Sequence, residues 1–127
     1  MIATLGAIAL GGALGALSRH GVNVGAAKIF GFGFPWGTMI ANILGCFLMG
    51  VIIARFAQMD GTSPELRSFI VTGFLGAFTT FSTFSLDFVT MYERGDILHA
   101  LMYMGASVIL GITALFAGSW LIRGIFA

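Results

Sequence analysis

Five hydroxyl side chains, Thr79, Thr80, Ser82, Thr83 and Ser85, crowd the centre of one apolar stretch, GFLGAFTTFSTFSLD at 73–87. A hydroxyl facing lipid loses its water partners without gain, so such a cluster must face protein, water or an ion. Gly73 and Gly76 precede the threonine pair, and Phe78, Phe81 and Phe84 recur at a spacing of three, which lays their rings along one helical face. The pattern predicts a helix broken at the middle of a bilayer.

Other polar groups sit at comparable depth. Asn42, within GTMIANILG, is an amide that is costly in a spanning helix unless bonded. Its NH2 group is a donor able to solvate an anion, and the competing reading is that it only ties two helices together. Thr38 lies one turn earlier on the same face, where bonding to its own helix backbone is the simpler role. Tyr103 and Ser107, again one turn apart and continuing to Gly111, read either as an uncharged hydroxyl ladder for a small ion or as an interfacial tyrosine and a back-bonded serine. An aromatic ring is positive at its edge, so Phe81 and Phe84 turned edge-on to a cavity would favour an anion. Most of the 13 phenylalanines are expected to face lipid or core.

Arg19 and Asp87 each lie about eight residues past the middle of their segments, which at about 1.5 Å per residue places them at similar depth. Neither belongs in lipid, and they are predicted to face each other or a common water-filled vestibule. His20 reads as an interfacial side chain and Cys46 as packing. No His, Cys or carboxylate cluster has metal-ligand spacing, and no nucleophile has a base partner at membrane depth, so an enzyme is not indicated.

The elements that must position these groups follow from hydropathy. Side chains are 58% hydrophobic and 9% charged over 127 residues, against about 25% charged in a soluble domain. The composition predicts an all-α integral membrane protein forming one transmembrane domain over 1–127. With a spanning helix needing about 20 apolar residues, four segments fit: 2–21, running on toward Lys28; 34–56; 65–92; and 96–122. GFGFP at 31–35, DGTSP at 60–64 and ERGD at 93–96 are the turns, with Ser63 as an N-cap and Pro64 in the first turn. The first segment lacks the basic start of a secretory signal and is kept as mature structure. Small residues recur at helix-contact spacing, Ala3, Ala7, Gly11 and Gly15, then Gly37, Ala41 and Gly45, then Ala114 and Gly118, and predict close helix packing.

A net charge of +1 without basic tracts excludes nucleic acid as a partner. The six Lys and Arg divide evenly: Arg55, Arg67 and Arg123 on one side, Arg19, Lys28 and Arg94 on the other. Without a bias the positive-inside rule selects no orientation, which predicts dual topology and an antiparallel homodimer.

GGALGALSRH at 11–20, GTMIANILGCFLMG at 37–50 and GFLGAFTTFSTFSLD at 73–87 closely resemble the Fluc fluoride channels, also called the CrcB family, and the match extends over all four helices. The resemblance implies a channel in the bacterial inner membrane that lets cytoplasmic fluoride leak out passively. It implies an antiparallel homodimer with two pores, whose broken third helices meet on the dyad and hold a structural sodium ion through the carbonyls of Gly76 and Thr79. Fluoride would pass Asn42, Phe81, Phe84, Tyr103 and Ser107, with Thr38 beside them and Arg19 and Asp87 in the vestibule. Gly111 replaces a hydroxyl residue common in the family, and Asp87 a glutamate. The competing reading, a small dual-topology proton-coupled exporter, needs a titratable carboxylate near the midplane, and helices one, two and four have none.

Overall fold

In the computed structural model, which describes residues 1–126, the chain is all-helical among the described residues. The elements are α1 (Ile2–Phe30), α2 (Trp36–Gln58), α3 (Pro64–Arg67), a π-helical stretch (Ser68–Leu75), α4 (Gly76–Phe78), α5 (Phe81–Glu93) and α6 (Ile97–Phe126). Four units are long and apolar enough to cross a membrane, the third being Pro64–Glu93 as a whole.

Local chemistry explains the boundaries. The first helix runs 29 residues to Phe30, because nothing between Gly21 and Phe30 breaks it. Gly31 then takes φ 79, a conformation that costs other residues a Cβ clash. At the third span Ser63 caps as the sequence predicts: its hydroxyl accepts from the Leu66 N–H at 3.1 Å, and Pro64 opens the helix.

Packing follows the small residues. Gly11 and Gly15 of α1 lie against the Phe69 and Phe74 carbonyls of the π-helical stretch, where any Cβ would collide with backbone. A Cβ on Gly73 would in turn come within 3.0 Å of the Gly11 Cα. Gly118 of α6 meets the Phe47 backbone of α2, and Gly50 of α2 meets the Leu115 carbonyl of α6. With backbones this close, the largest fully buried side chains are Tyr103 and Leu75, while large apolar residues such as Leu10, Leu17, Ile109 and Trp120 point outward. That distribution is the inverse of a soluble core and suits a surrounding of lipid tails.

Between α4 and α5 the backbone is extended at two residues, Thr79 (φ −88, ψ 157) and Thr80 (φ −153, ψ 125). These two residues reset the helical phase, so the aromatic stripe expected from the spacing of Phe78, Phe81 and Phe84 does not form. Phe78 is buried and stacked on Phe74 at 5.8 Å, whereas Phe81 opens α5 with 79% of its surface exposed.

Candidate functional site

The two extended threonines are held by a side chain from another helix. The Thr80 N–H donates to Asn42 Oδ1 at 2.7 Å, and Asn42 Nδ2 donates to the Thr80 carbonyl at 3.0 Å. One carboxamide therefore replaces a peptide group for the strand-like residue, and both of its polar atoms are engaged. Asn42 does tie two helices together, and it keeps one Nδ2–H for the cavity it lines.

The local threonines complete the arrangement. Thr79 Oγ1 donates back to the Leu75 carbonyl at 2.9 Å, alongside the Thr79 N–H at 3.1 Å. Thr80 Oγ1 accepts from the Thr83 N–H at 3.1 Å and so caps α5. In an unbroken helix the Thr80 N–H would serve the Gly76 carbonyl and the Thr83 N–H the Thr79 carbonyl. Asn42 and Thr80 Oγ1 take those donors instead. The carbonyls from Gly76 to Thr79, those two included, thus lose the donors that an unbroken helix would give them. Gly45 makes room for this geometry, since a Cβ there would collide with the Thr79 methyl group.

Two cavities flank the interruption. The inner one, about 270 Å³, is lined by Asn42, Cys46, Thr79, Thr80, Phe81, Phe84, Ser107 and Val108. Its walls bring together four of the residues that the resemblance sets along the fluoride path: Asn42, Phe81, Phe84 and Ser107. The rings of Phe81 and Phe84 lie 5.7 Å apart, tilted by 46°. The Ser107 hydroxyl is buried without a protein partner. Beyond it, where the ladder reaches Gly111, Cys46 Sγ stands 3.5 Å from the position a Cβ would take.

The outer cavity, about 400 Å³, opens at the 31–35 turn and holds Asn23, Thr38, Thr83, Asp87 and Arg94 with aromatic walls from Phe34 and Trp36. Arg94 Nη2 donates to the Gly33 carbonyl at 3.3 Å, which joins the first and third turns at one end of the molecule. Arg94 also pairs with Asp96 at 3.4 Å, and Asp96 bonds His99 Nδ1 at 2.6 Å. The His99 hydrogen bond foremost, then the charges of His99 and Arg94, hold the Asp96 carboxyl below the usual carboxylate range.

Three further groups singled out from the sequence take the following places. Tyr103 does not extend a ladder with Ser107: it is fully buried, with its ring 5.2 Å from Phe84 and edge-on to Phe34 at 5.5 Å. Its hydroxyl donates to Asp87 at 3.0 Å, so its one O–H is already committed. Arg19 and Asp87 do not pair directly. Arg19 Nη1 donates to Thr83 Oγ1 at 3.4 Å, one turn from Asp87 on the same helix face, and Thr83 and Asp87 share the outer cavity. Thr38 is buried beside that outer cavity, apart from Ser107. Sequence reasoning passed over Asn23 and Arg94; that Asn23 stands one turn beyond Arg19 on α1 was the available signal.

The family model described as CrcB-like protein, Camphor Resistance (CrcB), matches residues 6–119. A protein of Hyphomonas neptunium named "Fluoride-specific ion channel FluC" is 50% identical over 121 residues, covering 94% of this chain and 95% of its own. One of the same name from Mesorhizobium japonicum is 52% identical over 118 residues, covering 93% and 94%. Another, from Cereibacter sphaeroides, is 50% identical over 124 residues, covering 98% of each chain.

Proposed function

The chain belongs to the CrcB family, and we propose that it is a fluoride channel that releases cytoplasmic fluoride passively across the bacterial inner membrane. The observation that carries this reading is the inner cavity, where an amide N–H, an unpartnered hydroxyl and two aromatic rings converge with no charged side chain. Fluoride is small and strongly hydrated, so entry requires several close donors in place of water. Asn42 and Ser107 supply such donors, and the edges of Phe81 and Phe84 add a weak positive field that does not trap the ion. A narrow, rigid wall then excludes chloride by size.

The working unit in this proposal is an antiparallel homodimer of dual topology, with the interruption of the third span at the bilayer midplane. Phe81 is exposed on the single chain, and a second copy covering that face would complete each pore with a phenylalanine from the other subunit. The even division of Lys and Arg supports insertion in both orientations. The Gly76 and Thr79 carbonyls fit a hard monovalent cation such as sodium, since both are oxygen donors whose helical donors are diverted. Two copies would contribute four such oxygens on the dyad, and the bound ion would supply a fixed positive charge that satisfies them.

The test is anion efflux from proteoliposomes, fluoride against chloride, with potassium and valinomycin as the electrical shunt. Fluoride release with chloride retained, lost in Phe81→Ile, is the expected result. Equal release of both anions, or none, would reject the reading.

A further inference from the structure

The inner cavity lacks charged groups, but the outer cavity poses an electrostatic difficulty for an anion. Arg94 stands at its mouth and Arg19 reaches its inner end through Thr83, while the Asp87 carboxyl lies between them. The Arg19 to Thr83 hydrogen bond sets the register of α1 against α5. One turn outward along each helix, at i+4, stand Asn23 and Asp87, so the two side chains occupy one level of one cavity.

Asn23 is held there by close backbone packing. Gly37 of α2 lies directly against it: a Cβ on Gly37 would collide with Asn23 Oδ1 and approach the Asn23 Cα at 2.8 Å. The carboxamide oxygen packs against Gly37 without a hydrogen bond, and the side chain lines the cavity. Among the described residues, the side-chain hydrogen bonds around this cavity run from Arg19 to Thr83, Arg94 to Gly33 and Asp96, and Tyr103 to Asp87. Asn23 takes part in none of them. It is half-buried, it does not tie α1 to α2, and its donors are unspent.

We propose that Asn23 is an anion-contacting residue of the outer cavity, whose carboxamide N–H groups donate to fluoride at the level of Asp87 and carry it past that carboxyl. This rests on the fluoride-channel reading. Of the neighbouring donors, the Tyr103 O–H is given to Asp87 and Arg94 lies two turns further along the helix, about 10 Å, which leaves the hydroxyls of Thr38 and Thr90 in the lining beside Asn23. An amide is suited to the task because it lends positive ends without a full charge that would pair with Asp87 and close the cavity.

An isosteric pair tests the donor alone. Asn23→Thr and Asn23→Val have nearly the same shape and differ in one hydroxyl donor. Fluoride efflux from proteoliposomes would be measured across a range of fluoride concentrations. A hydrogen bond to an ion corresponds to about tenfold or more in affinity. The valine variant is therefore expected to raise the half-saturating fluoride concentration by about tenfold with limiting flux preserved, and the threonine variant by about threefold or less. Coincident curves for the two variants, or a loss of limiting flux with half-saturation unchanged, would overturn the proposal while leaving the channel reading standing. Absence of fluoride flux in the unmodified protein would overturn both. Should the β-branched pair not fold, Asn23→Ser against Asn23→Ala provides the same contrast.

Discussion

The two sides of the third span's interruption are held in the bundle by opposite means. Before it, the π-helical stretch is seated by backbone: its carbonyls at Phe69 and Phe74 rest on Gly11 and Gly15 of α1, with no side chain intervening. After it, the backbone is held by polar side chains: Thr80 is bound at both its N–H and its carbonyl by Asn42, and α5 then presents Thr83 and Asp87 to Arg19 and Tyr103. Shape defines the first region and hydrogen bonding the second. Van der Waals contact between glycine-lined backbones is tight but indifferent to ions, whereas directed donors can be shared with one. The contrast implies that substitutions in the first region alter stability, and those in the second alter conduction.

The sharpest way to break that division is Asn42→Leu. It leaves the Thr80 N–H and carbonyl unpaired, each at a cost of about 1–3 kcal/mol, and removes a donor from the inner cavity. Fluoride flux per folded protein should fall by about 100-fold or more, read by liposome efflux. Near-normal flux would show that Asn42 holds the backbone without conducting.

Next in size is Gly11→Ala. A Cβ at that position meets the Phe69 carbonyl oxygen, and backbone has little room to move. Overpacking of this kind costs about 1–3 kcal/mol. Thermal unfolding in detergent should shift down accordingly, while the molecules that remain folded conduct normally. A selective loss of conduction at full stability would mean that the glycine seam also shapes the pore.

Thr80→Val is expected to be milder. It removes the cap on α5 that accepts from the Thr83 N–H, an interaction of about 1 kcal/mol, and it leaves the Asn42 clamp, which uses only backbone atoms of Thr80. A modest drop in melting temperature with a partial loss of flux is the expected pattern.

The smallest effect belongs outside both regions, at the 93–96 turn. Because His99 and Arg94 hold Asp96 below the ordinary carboxylate range, the ionised form favours the folded state. That contribution is present above the unfolded carboxyl value of about 3.9 and is lost as pH falls through the lower folded value. Melting temperature measured against pH should therefore show a small decline below about pH 4 that is absent in Asp96→Asn.

Much of this protein is readable along the chain because the relevant physics is local. Hydropathy marks four spans, the Ser63 hydroxyl caps the helix begun by Pro64, and Gly31 ends α1, all through residues within a few positions of one another. The hydroxyl cluster and the small-residue ladders point to close packing and a polar interior for the same reason. Where these groups turn was decided only by the assembled helices. Two extended residues moved Phe81 out of phase with Phe78, Tyr103 gave its proton to Asp87, and Arg19 met Thr83. Each outcome depends on helix phase and on which backbone comes close enough to accept a donor. The clamp of Asn42 on Thr80 joins residues 38 positions apart, and the glycine at position 45 leaves room for the neighbouring Thr79 methyl group.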